Sequence, residues 1–108
     1  MSLDATLAAL ADGTRRGVID LLRKRPHRAS DLADALGASK PAMSRHLRVL
    51  RDGGLVETSS KEDGRERIYT LRPAPFAQLR EWVEDIEAFW TAQLASFKDH
   101  VERTRGKK

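Results

Sequence analysis

Residues 39–51 of this chain are Ser-Lys-Pro-Ala-Met-Ser-Arg-His-Leu-Arg-Val-Leu-Arg, and this stretch decides the predicted fold. It predicts an α-helix, because it opens on a serine N-cap and holds a proline in its first turn, where amides have no helical partner. At about 100° per residue, Met43, Leu47 and Leu50 share one apolar side. The other sides carry cations and no acid, although a surface helix usually favours Asp or Glu in its first turn. We therefore expect a helix whose N-terminal end can approach phosphates and base edges.

The basic helix follows a short helix and a glycine, which is the outline of a helix-turn-helix at about residues 30–52. Ser30 is expected to cap this preceding helix over residues 31–36, and Gly37 to end it with a positive φ. The pair Gly53-Gly54 is expected to end the basic helix itself.

Two more helices are predicted towards the N-terminus. Leu3 and Leu7 recur at helical spacing and indicate a helix over residues 2–11. Asp12 is the expected N-cap of the second helix, which Pro26 stops.

Residues 55–72 change to an alternating pattern and predict a β-hairpin, the wing of a winged helix. The turn signal is Asp63-Gly64, and a two-residue turn there places Val56 beside Leu71. The same register pairs opposite charges at the tip, Glu62 with Arg65 and Lys61 with Glu66.

A final helix is predicted over residues 75–103, after Pro73 and Pro75 break the chain, with a frayed tail at 105–108. Its apolar residues recur every three or four positions over roughly 40 Å, which is longer than the core of so small a domain can cover. We therefore expect the first and last helices to form a homodimer interface. The expected interface residues are Leu3, Leu7, Leu79, Val83, Ile86, Trp90, Leu94 and Phe97.

Composition limits the classes of protein that fit. The length of 108 residues predicts one domain over residues 1–104, and the net charge of +4 favours an anionic partner. The absence of cysteine excludes disulfides, thiolate metal sites and cysteine nucleophiles. With no signal peptide and no membrane-length apolar stretch evident, the expected location is the cytoplasm and no membrane partner is expected.

These elements predict a mainly α winged helix-turn-helix with a small β-hairpin and long N- and C-terminal dimerisation helices. The sequence resembles the ArsR/SmtB family of bacterial repressors along nearly its whole length. The matching segments are Ala-Leu-Ala-Asp-Gly-Thr-Arg-Arg (9–16), Asp-Leu-Ala-Asp-Ala-Leu-Gly-Ala-Ser-Lys-Pro-Ala-Met-Ser-Arg-His-Leu-Arg-Val-Leu (31–50), Gly-Leu-Val (54–56) and Gly-Arg-Glu-Arg-Ile-Tyr-Thr-Leu (64–71). Gly13 departs from the proline that many family members carry there.

The resemblance implies a homodimeric repressor whose recognition helix enters the major groove of double-stranded DNA while the wing touches backbone or minor groove. The residues at DNA-facing family positions are Ser39, Lys40, Pro41, Ala42, Ser44, Arg45 and Arg48, with Lys61, Arg65 and Arg67 in the wing. Arg45 is the first candidate for reading a base, because it points most directly away from the apolar side, and Arg48 is the second. Arg51 is expected to reach only phosphate.

Several alternatives remain open at this stage. A metal-responsive member of the family is one, but the last helix offers only Asp99, His100 and Glu102, so no metal or other cofactor is expected. A winged helix that binds only proteins is another. An enzyme is a third, and none is expected, because Ser44 and His46 point apart on their helix and have no third orienting group. The effector, if one exists, is not specified by the sequence.

Three further side-chain groups have two interpretations each. His46 is expected to be half-buried, bonded to backbone or a phosphate, and His27 to lie in a loop without a specific role. The aromatic residues Trp82, Phe89 and Trp90 are either a ligand pocket or part of the dimer core, and we favour the core.

Overall fold

The computed structural model describes residues 2–59 and 67–106. It is mostly helical with one small antiparallel sheet, which confirms the predicted fold class. The elements in chain order are α1 (Leu3–Ala9), α2 (Gly13–Leu22), β1 (His27–Arg28), α3 (Ala29–Leu36), α4 (Lys40–Asp52), β2 (Val56–Thr58), β3 (Ile68–Leu71) and α5 (Pro73–Gly106).

Local capping signals place three helix ends where the sequence predicts them. The Asp12 carboxylate accepts a hydrogen bond from the Arg15 amide at 3.0 Å and caps α2. The Ser39 hydroxyl accepts from the Ala42 amide at 3.2 Å and caps α4. Gly37 ends α3 in the left-handed conformation with φ 64°, which only glycine adopts without strain.

The start of α3 differs from the prediction. Its N-cap is Arg28, which makes no side-chain capping bond, and not Ser30, which lies inside the helix. The reason is a tertiary one, because Arg28 is paired with Ile68 in the sheet and already has the extended backbone that an N-cap needs.

The sheet has the strand order β1-β3-β2. Val56 lies opposite Leu71 and Thr58 opposite Tyr69, so the predicted hairpin register is confirmed. Strand β1 was not predicted, and the loop position expected for His27 is wrong, because His27 pairs with Tyr69. The tip that holds the predicted turn and charge pairs lies outside the described residues.

The chain divides into two compact units, the first ending at Ala77 and the second beginning at Gln78. The first unit has one hydrophobic core, to which α4 contributes Met43, Leu47 and Leu50, as predicted. The other core residues are Ala9, Val18, Leu22, Leu32, Ala33, Leu55 and Val56.

Helix α5 is longer at both ends than the predicted 75–103. Pro73 and Pro75 do not break the chain before it but lie in its first turn, which tolerates proline because the amides there have no partner within the helix. At the other end residues 105 and 106 are helical, although a frayed tail was expected there. The single domain predicted over residues 1–104 stays a prediction.

The apolar side chains of the second unit are exposed in the single chain. Ile86 is 39% exposed, Trp90 59% and Phe97 67%. Such a row of large apolar side chains in water is unfavourable. In the described part of the chain, no helix is both long enough and apolar enough to cross a membrane.

Candidate nucleic-acid interface

Helix α4 is held by its apolar side, and this fixes which residues it presents outwards. Met43, Leu47 and Leu50 are at most 2% exposed. The candidate DNA-facing residues lie on the other sides of the helix. Those that are exposed are Ser39, Lys40, Pro41, Ser44, Arg45 and Arg48, and Ala42 is half-buried.

One flank of α4 is joined to α1 and α2 through Arg15. Its Nε donates to the Ala9 carbonyl at 2.6 Å and its Nη2 to the Ala8 carbonyl at 3.2 Å. Its Nη1 lies 3.3 Å from Nδ1 of His46, a side chain that is half-buried as predicted. The partner of His46 is therefore a guanidinium group and not the backbone. Arg15 thus connects the end of α1 to α4.

Asp12 lies beside this connection. The Arg15 amide, which donates to the Asp12 carboxylate, holds the pKa of Asp12 below its ordinary value, and the nearby Arg15 guanidinium lowers it further against partial desolvation. Asp12 Oδ1 is 3.9 Å from His46 Nδ1. The carboxylate therefore stays ionised and keeps both its cap and its attraction to this flank.

The opposite flank of α4 faces the sheet across a polar cleft of about 200 Å³. Arg48 and Arg51 line it from α4, and Arg67 and Tyr69 line it from the end of the wing that the structure describes. Ser44 and Leu47 complete the lining. Tyr69 was not among the residues predicted for this surface, and it lies here because it pairs with Thr58 in the sheet.

The cations of this surface are not neutralised within the described chain. Among residues 2–59 and 67–106, no ion pair engages Lys40, Arg45, Arg48, Arg51 or Arg67. The acids of the described ion pairs are bound by other groups, as in the pairs Arg28–Asp31 and Arg72–Glu57. An unneutralised cationic surface attracts a polyanion. The remaining wing candidates, Lys61 and Arg65, lie outside the described residues.

The same geometry separates the side chains that an enzyme would need together. Ser44 lines the cleft towards the sheet, whereas His46 contacts Arg15 on the other flank of α4. In the part of the chain that the structure describes, no group of three or more His, Cys, Asp or Glu side chains could hold a metal ion.

Helices α3 and α4 form a helix-turn-helix, and the antiparallel strands β2 and β3 follow it along the chain. Together with the exposed cationic face of α4, this arrangement is a winged helix-turn-helix, a class of DNA-binding transcription regulators. Comparison with known proteins gives the family. The family model described as "Bacterial regulatory protein, arsR family" matches residues 12–58. The HTH-type transcriptional regulator Rv2034 of Mycobacterium tuberculosis is 38% identical over 101 residues, which cover 94% of this chain and 90% of that protein. The chain belongs to the ArsR family.

Solved structures agree with this assignment. An ArsR-like transcriptional regulator from Rhodococcus sp. RHA1 is 35% identical, with a TM-score of 0.79 over 93% of this chain and 90% of that one. A homodimeric winged helix-turn-helix DNA-binding domain from Mycobacterium bovis is 29% identical, with a TM-score of 0.59 over 80% of this chain and 81% of that one.

Proposed function

We propose that two copies of this chain form a homodimer that binds a palindromic DNA operator and represses transcription. The observation that carries the proposal is the exposed face of α4, which has no acid in its first turn and whose cations have no described ion-pair partner. Membership of the ArsR family supports DNA as the anion, and the homodimeric neighbour supports two-fold assembly. A regulator of this kind acts where the chromosome lies, in the bacterial cytoplasm.

Two-fold symmetry sets the shape of the operator. Two recognition helices related by a dyad enter successive major grooves on one side of the duplex, with half-site centres about 10 bp apart or slightly more. The operator is then a palindrome, and a bound dimer excludes polymerase from a promoter that contains it. Such a regulator is autoregulatory when the operator lies in its own promoter.

The residues of α4 divide into two roles. Arg45 donates to O6 and N7 of guanine, and its exposed position on the side of the helix away from the buried residues supports this role. Arg48 is the second candidate for this role. Ser39 and Lys40 lie at the start of the helix and bind phosphate, which fixes the register of the protein on the duplex.

The proposal is tested by measuring affinity for a genomic fragment that the wild-type protein retains, and for a scrambled duplex, at several salt concentrations. Arg45→Ala should cost about 1–3 kcal/mol per contact on the retained fragment and much less on the scrambled one. Lys40→Ala should weaken both duplexes alike and flatten the salt dependence. Arg103→Ala, an exposed arginine in the last turn of α5, is the matched control.

The alternatives have different outcomes in the same experiment. Equal losses on both duplexes for Arg45→Ala would make Arg45 a phosphate contact. No retention on any duplex at low salt would favour a protein-binding winged helix. A large, saturable change in affinity on adding zinc, reversed by a chelator, would identify the metal-responsive form, whereas we expect a change of less than about threefold.

A further inference from the structure

The cleft between α4 and the sheet carries an excess of positive charge. Three of the residues that line it are arginines, namely Arg48, Arg51 and Arg67, and none of its lining residues is acidic. We propose that this arginine cleft binds one phosphate of the DNA backbone in each protomer, held between Arg51 of the helix and Arg67 of the wing. The proposal rests on the proposed DNA-binding function and names where one contact of that function lies.

The charge of the arginine cleft is the first argument. Within the described residues, none of the three guanidinium groups has an ion pair or a hydrogen bond to another side chain. Like charges on both walls of one cleft repel each other, unless an anion lies between them. The C-terminal carbonyls of α4 favour a cation at Arg51 but supply only a partial charge.

The shape of the cleft is the second argument. Its volume of about 200 Å³ is far above the roughly 15 Å³ that one water molecule needs, so a phosphodiester group has room. Arginine presents planar, paired donors that match phosphate oxygens, and here such donors come from a helix and from a strand end. A phosphate bound from both sides would connect α4 and the start of β3 to the same group on the DNA.

The position of the cleft along α4 favours phosphate over a base. Arg51 is six residues beyond Arg45, which at 1.5 Å per residue is about 9 Å further along the helix. A recognition helix contacts base edges with its N-terminal residues, so its C-terminal turn lies nearer the backbone. Ser44 and Arg48 are shared by the cleft and the exposed face of α4, which makes the cleft continuous with the proposed DNA surface.

The experiment compares wild type, Arg51→Gln, Arg67→Gln and the double variant on a duplex retained by the wild-type protein. Each single variant should lose about tenfold in affinity at 0.1 M salt, and the magnitude of the slope of log K against log salt should fall by about 2 per dimer. Arg103→Gln removes the same charge outside the arginine cleft and should change neither quantity. Because both side chains are exposed, thermal melting should show unchanged folding.

A second measurement locates the phosphate. Single methylphosphonate substitutions along the duplex remove one phosphate charge at a time. At one position per half-site, the substitution should weaken binding by the wild-type protein. The same substitution should not change binding by the double variant, because that variant has already lost the contact. The proposal is wrong if wild type binds and both arginine variants bind as well as Arg103→Gln. It is also wrong if every methylphosphonate position affects wild type and the double variant equally, and in both cases the proposed DNA-binding function is not contradicted. If wild type itself binds no duplex, the proposed function fails and this proposal with it.

Discussion

At the scale of single residues, Arg15 connects three helices. It donates to the last carbonyls of α1, its own amide is capped by Asp12 at the start of α2, and its guanidinium meets His46 of α4. Among the described residues, the guanidinium of the adjacent Arg16 donates to one carbonyl, that of Leu10, at 2.8 Å. Helix α1 has no basic residue in its last turn, so these two arginines supply donors that its sequence lacks.

We expect Arg15→Ala to lower the free energy of unfolding by about 1–3 kcal/mol, because two backbone carbonyls and an imidazole lose a charged donor. Arg16→Ala is the matched control and should cost under about 1 kcal/mol, since only one exposed carbonyl is affected. Urea denaturation measures both. Equal losses for the two variants would contradict the role given to Arg15.

The carboxylate of Asp12 predicts a dependence of stability on acid. Its pKa is lowered in the folded chain, so it contributes stability that is fully present above the ordinary pKa of 3.8 and is lost as pH falls through the folded value. Asp12→Asn keeps the shape of the cap but cannot ionise. The stability difference between wild type and Asp12→Asn should therefore shrink between pH 5 and pH 2, which denaturation at each pH measures. A constant difference would show that ionisation plays no part.

At the scale of elements, the turn between α3 and α4 depends on Gly37. A Cβ added there would meet nothing within 4 Å, so the requirement for glycine is set by φ alone. The turn fixes where α4 begins relative to α3, and hence where the cationic face of α4 points.

Gly37→Ala should destabilise the chain by about 1 kcal/mol, because the left-handed conformation is strained for alanine. The lower conformational entropy of the unfolded alanine variant offsets only part of this strain. Gly37→Asn should cost less, since asparagine adopts this conformation more readily. Thermal or urea denaturation ranks the three proteins. An alanine variant as stable as wild type would mean that the turn has another conformation.

The sequence predicted those elements whose signals are local. The caps at Asp12 and Ser39 and the end of α3 at Gly37 each depend on a few neighbouring residues. The prediction of the start of α3 was wrong because Arg28 is paired with Ile68, which lies far along the chain. Strand β1 was not predicted because a strand of two residues has no alternating pattern. The predicted start of α5 was wrong because the sequence alone does not distinguish a proline in the first turn of a helix from a proline that ends a helix.

The site was predicted to a similar extent. Its cations on α4 follow from helical periodicity, so their exposure could be expected. The arginine cleft could not, because it needs Tyr69 and Arg67 placed beside α4, and that placement is a property of the folded sheet.

At the scale of the whole molecule, the second unit presents a row of exposed apolar residues. Ile86, Trp90, Leu94 and Phe97 are 39–67% exposed in a single chain. Obligate interfaces are strongly apolar and commonly bury about 2,000 Å² or more. A second copy of this chain is the partner that the proposed function requires.

Trp90→Glu should therefore yield monomer or aggregate, because a charge would be buried at the centre of the apolar row. Ala92→Glu is the matched control, since it lies about 200° further round the helix and is also exposed. Sedimentation at micromolar concentration measures the assembly state. A stable, folded monomer of the wild-type chain would contradict the dimer, and loss of assembly in both variants would mean that the interface is not confined to the row.

The short strand β1 also constrains how proteins of this shape can vary in length. Arg28 is the last residue of β1 and, at the same time, the N-cap of α3, so no linker separates the sheet from the helix-turn-helix. An inserted residue there would reverse the side-chain alternation of the strand or rotate α3 by about 100°. Insertions and deletions among relatives should therefore be absent at this junction and accumulate between β2 and β3, where added length leaves both ends of the hairpin in register.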